Sequence, residues 1–135
     1  MSDPETRAAA EEWLAFARED LAITHLAGAS NRIRCFHAQQ AAEKAIKPLL
    51  TLLEIEFVRS HDLNYLAQLL PHEFRLKAGV IDLERLSRWA VDLRYPGSTE
   101  IDRSETDLGK LRTLAQAIIE EIGARFVDND TEESS

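Results

Sequence analysis

The stretch NRIRCFHAQQAAEKAIKPLLTLL (residues 31–53) decides how this chain folds. Cys35, Ala38, Ala42, Ala45, Leu49 and Leu52 recur three and four residues apart, which puts them on one stripe of an α-helix and turns that stripe to a core. The small side chains let a neighbouring helix approach closely. Pro48 removes a backbone donor and crowds the carbonyl of Lys44, so a kink is expected between those two residues. The opposite side carries Ile33, Phe36, His37, Gln40, Glu43, Lys44 and Lys47. Two large apolar residues among polar ones fit a contact surface better than a plain solvated face. Glu43 and Lys47 also stand at i, i+4 in the favourable order, a purely structural use for both.

Working outward, Glu5 to Ala27 is rich in Ala, Leu and Glu, with Leu14, Ala17, Leu21 and His25 at helical spacing. Gly28 stops this first helix, and the following Ser30 and Asn31 offer a cap for the second, expected from Arg32 to Leu53. Ser60 or Asp62 can cap a short third helix with Leu63, Leu66, Leu69 and Leu70, closed by Pro71. A fourth helix repeats the pattern at Leu83, Leu86, Ala90 and Leu93 and stops at Pro96 and Gly97. The fifth begins near Ser104, where Ser104 and Asp107 resemble a capping box, and buries Leu108, Leu111, Ala115, Ile118 and Ile122. The expectation is an all-α, up-and-down bundle of four long helices plus one short helix over residues 1–127, with an acidic disordered tail over 128–135.

Composition narrows the function. A net charge of −8 argues against a broad nucleic-acid footprint, which draws on Lys and Arg along the phosphates. Residues 31–48 are the exception, with Arg32, Arg34, Lys44 and Lys47 against Glu43 alone. A lone Cys35, no signal-peptide pattern and no uninterrupted apolar run of membrane-spanning length lead to the expectation of a cytoplasmic protein outside the membrane. The four histidines, His25, His37, His61 and His72, lack metal-ligand spacing, and the glycines form no phosphate loop, so neither metal nor cofactor is expected. Cys35 falls on the apolar stripe and reads as a small core residue.

Two further groups carry usable chemistry. Trp89, Asp92, Arg94, Tyr95 and Pro96 close the fourth helix, where Arg94 either caps terminal carbonyls or offers its fork to a phosphate. His61, between Arg59 and Asp62, reads as a turn residue with nothing nearby in sequence to fix its tautomer.

The run Cys35 to Lys47 (CFHAQQAAEKAIK), then Ser60-His61-Asp62-Leu63, then Leu93-Arg94-Tyr95-Pro96, resembles the HEPN domain of bacteria and archaea in order and spacing. The resemblance implies a helical bundle, homodimeric, often encoded beside a minimal nucleotidyltransferase as a toxin–antitoxin pair. It also implies, for many members, metal-independent endoribonuclease activity through Arg, four to six residues, then His. The matching arginine is Arg94, the candidate catalytic residue, and the three positions open to the histidine hold Thr99, Glu100 and Ile101. None of these titrates near neutral pH as the family chemistry requires. The expected function is therefore binding of a nucleotide, an RNA phosphate or a nucleotidyltransferase partner, with His37, Gln40, Lys44, Lys47, Arg94 and Tyr95 as the binding set. The alternatives are an endoribonuclease that pairs Arg94 with His37 or His61, and a purely structural interaction bundle.

Overall fold

The computed structural model describes residues 3–92 and 105–134, with side chains placed for 3–89 and 108–126. Among the described residues five α-helices follow in order: α1 Pro4–Ile23, α2 Asn31–Leu52, α3 Leu63–Gln68, α4 Val80–Asp92 and α5 Glu105–Ser134, with a 3-10 turn at His72–Phe74. There is no strand among the described residues. α2 is the central element and packs against all four other helices. Ala38, Ala41, Ala42 and Ala45 are fully buried there, so the stripe of small residues does bring the neighbouring helices close. Leu108, Leu111, Ala115, Ile118 and Ile122 of α5 lie in the same core, joined by Leu83, Leu86 and Trp89 of α4.

Local chemistry sets most boundaries. Asp3 caps α1 by accepting from the Thr6 amide at 2.8 Å, with Pro4 in the first turn where its missing N–H costs nothing. Ser30 caps α2 through the Ile33 amide, and Asp62, not Ser60, caps α3 through the amides of Asn64 and Tyr65. α1 ends at Ile23, four residues before the expected Ala27. The cause is Thr24, which is fully buried; its hydroxyl donates back to the Leu21 carbonyl at 2.5 Å, while Arg112 of α5 donates to the Thr24 hydroxyl and carbonyl. At the other end, α5 is helical through Ser134 and so includes residues 128–134, which the sequence suggested as a tail.

α2 runs on through Pro48 and stops in a Schellman motif. The Ile55 amide donates to the Leu50 carbonyl at 2.9 Å, the Glu54 amide to the Thr51 carbonyl, and Glu54 takes a φ of 60°. A side chain is strained in that left-handed region, so Glu54→Gly is expected to raise folding stability by roughly 0.5–1 kcal/mol, read from the urea midpoint. The motif turns the chain back so that Phe57 reaches the groove between α1 and α2.

Candidate functional site

α1 and α2 lie antiparallel, with the residues near Asp20 facing those near His37 and the residues near Thr6 facing those near Thr51. Along this seam the polar residues of α2 meet two buried carboxylates. The first belongs to α1: Asp20 is 5% exposed, with one oxygen 2.7 Å from His37 Nδ1 and the other 2.7 Å from Lys44 Nζ. The second is Glu43 of α2 itself, 6% exposed. Its Oε1 accepts from Gln39 Nε2 at 3.0 Å and from His61 Nδ1 at 2.8 Å, and its Oε2 accepts from Lys47 Nζ at 3.1 Å.

A carboxylate only accepts, so each histidine must carry its proton on Nδ1. Gln39, fully buried, donates from Nε2 both to Glu43 and to the His61 carbonyl, and its Oε1 accepts from Gln40 Nε2 at 2.7 Å. The two carboxylates, Asp20 on α1 and Glu43 on α2, thus both serve the polar face of α2, and Gln39 links Glu43 to Gln40.

Burial alone would push the Glu43 carboxyl up, but the hydrogen bonds from Gln39, His61 and Lys47 outweigh it and hold the group below the ordinary glutamate range. A depressed folded-state value means that the stabilisation is present above the unfolded value of about 4.3 and is lost as the pH falls through the folded one. Urea midpoints are accordingly expected to fall with pH below about 4.3 more steeply in the wild type than in Glu43→Gln.

Above this network lies a cleft of about 540 Å³. Thr6, Ala9, Ala10 and Trp13 of α1 form one wall; Gln40, Lys44, Lys47 and Pro48 are on α2, and Phe57 closes one end. Trp13 is 46% exposed and meets Phe16 edge to face, ring centroids 5.7 Å apart. Ile33 is also exposed, whereas Phe36 is half-buried with its ring edge-on to His37.

Several expectations change here. Glu43, placed by helical spacing on the outward face, is buried and is the acceptor around which that face is organised. His61 is not merely a turn residue, because Glu43 fixes its ring from 18 positions away. Trp89, grouped by sequence with Arg94, is a core residue 1% exposed. Of the expected binding set, Gln40, Lys44 and Lys47 line the cleft and His37 adjoins it through Asp20. Arg94 and Tyr95 lie outside the described residues, as do Thr99, Glu100 and Ile101. Trp13 and Asp20 were missed; an exposed-looking aromatic and an ordinary acid on an amphipathic helix give no local signal.

Fold and site together define an all-α bundle with a charge-paired cleft between its first two helices. The HEPN domain family model matches residues 7–125, and the chain belongs to that family. It is similar to the crystal structure of ST0689, an archaeal HEPN homologue, at 26% identity and a TM-score of 0.68, covering 87% of this chain and 97% of the other. It also resembles in fold the crystal structure of TT1696 from Thermus thermophilus, at 24% identity and a TM-score of 0.71, covering 85% of this chain and 96% of that one. No curated protein matches significantly. No helix among the described residues is long and apolar enough to cross a membrane.

Proposed function

We propose that this HEPN chain acts by binding: it is a dimeric cytoplasmic module whose α1–α2 cleft takes a nucleotide or a nucleotide of single-stranded RNA. A minimal nucleotidyltransferase is its partner protein in a toxin–antitoxin setting, as the family resemblance implies. The observation that supports the binding reading is the cleft, which joins an exposed indole, Trp13, to the hydrogen-bonding heads of Gln40, Lys44 and Lys47 within a volume suited to a small ligand. Arg94 and Tyr95 complete the binding set in this reading. Thermal unfolding with millimolar adenosine monophosphate or short single-stranded RNA tests it. A ligand at a hundredfold excess over its Kd stabilises by about 2.7 kcal/mol, so a clear rise in Tm is expected, and no rise with either probe contradicts the reading. Gel filtration, and co-purification with the product of a neighbouring nucleotidyltransferase gene, test the dimer and the partner.

A second reading, a metal-independent endoribonuclease, draws support from the two imidazoles, each oriented by a carboxylate as in a general-base dyad. It requires cleavage of RNA in EDTA that is lost in Arg94→Ala and in either His37→Ala or His61→Ala; an inert wild type rules it out.

A further inference from the structure

The question that follows from a nucleotide-type cleft is which part of the nucleotide it holds, and the inference rests on that reading. Phosphate recognition needs cations whose charge is not already answered. Lys44 and Lys47, the cations of the cleft wall, are each answered at close range by Asp20 and Glu43, so the formal charges of these four residues cancel. Both neighbouring histidines point Nδ1–H at the same carboxylates and stay electrically quiet when neutral. Among the described residues the remaining lining, which includes Thr6, Ala9, Ala10, Trp13, Pro48 and Phe57, is uncharged.

What the cleft does offer is an aromatic surface and an oriented amide. Ionised Glu43 can only accept, so Gln39 must turn its amide nitrogen inward and its oxygen toward Gln40. Gln40 must then donate one N–H to Gln39, which leaves its carbonyl oxygen and its second N–H for a ligand. An acceptor beside a donor matches the edge of a nucleobase, and a half-exposed indole matches its face.

We infer that the α1–α2 cleft recognises the base and not the phosphate: a neutral, planar heteroaromatic ring stacks on Trp13, its polar edge pairs with Gln40, and sugar and phosphate remain toward solvent. Trp13 is the only exposed indole of the chain's two tryptophans, the other being buried Trp89, so its emission reports occupancy.

The test is a fluorescence titration of the full chain with adenosine, adenosine monophosphate and ribose 5-phosphate at about 50 and 500 mM salt, the range over which phosphate-driven binding collapses. Adenosine and its monophosphate are expected to quench Trp13 with affinities within about threefold of each other and almost independent of salt, while ribose 5-phosphate neither quenches nor competes. By calorimetry, Trp13→Leu is expected to weaken adenosine binding by about tenfold or more, and Gln40→Ala by a smaller factor, with helix content unchanged in both. If adenosine monophosphate binds, salt-dependently and displaced by ribose 5-phosphate, while adenosine does not, the base-recognition inference is wrong and the nucleotide reading stands. If neither adenosine nor its monophosphate binds, the base-recognition inference fails, and if short single-stranded RNA does not bind either, the nucleotide reading fails with it.

Discussion

Glu43→Ala is expected to lower folding stability by about 3 kcal/mol, the lower end of the range for breaking a buried charge pair by removing one partner. Three donors converge on this carboxylate, and they do not suffer equally. Gln39 is fully buried, so one of its two amide N–H groups loses its acceptor while the other keeps the His61 carbonyl, a penalty of about 1–3 kcal/mol by itself. The side chains of Lys47 and His61 are 25% and 37% exposed and can turn to solvent, which keeps the total from reaching the upper end. Urea unfolding near neutral pH measures the loss. A change under about 1 kcal/mol would mean that Gln39 finds another acceptor and that Glu43 does not organise the face.

Asp20→Ala is expected to cost a similar amount, about 3 kcal/mol, by a different route. Asp20 is the polar tether between α1 and α2, with one oxygen on His37 and the other on Lys44, and its side chain is only 7% exposed. The milder Asp20→Asn keeps the shape and removes the charge, leaving Lys44 unanswered beside the cleft. That variant is expected to bind adenosine monophosphate more tightly than wild type at low salt and to lose the gain at high salt, the mark of a newly freed cation. Unfolding curves give the first effect and titrations at two salt concentrations the second. An Asn variant with wild-type salt dependence would argue that Asp20 does not answer Lys44.

Most of the fold is legible in the sequence because apolar spacing and end caps are local signals. The α2 stripe, the buried face of α5 and the start of α3 at a Ser60 or Asp62 cap all follow from residues within a few positions of one another, and the structure selects Asp62. The exceptions are tertiary. α1 stops early because Arg112, 88 residues away, grips Thr24, and nothing in the run from Leu21 to Gly28 announces that.

The site is harder to read for the same reason. The Glu43–Lys47 pair is visible at i, i+4, but the links from His37 to Asp20 and from His61 to Glu43 span 17 and 18 residues. A sum over residues 31–48 therefore sees a basic island, whereas in the folded chain Lys44 and Lys47 are answered by buried acids, and the acid for Lys44 comes from another helix. Net charge along a segment reports what the chain carries, and burial with pairing decides what it presents.

The charge closure of the α2 face is tested most directly by the tautomers of His37 and His61, observed by long-range nitrogen–proton correlation of the imidazole rings above their titration range. Both rings are expected to be protonated at Nδ1, since Asp20 and Glu43 accept there. Protonation at Nε2 in both would contradict it, because a bare Nδ1 lone pair cannot face a carboxylate oxygen at 2.7 or 2.8 Å, and neither Asp20 nor Glu43 would then lie where its other oxygen meets Lys44 or Lys47.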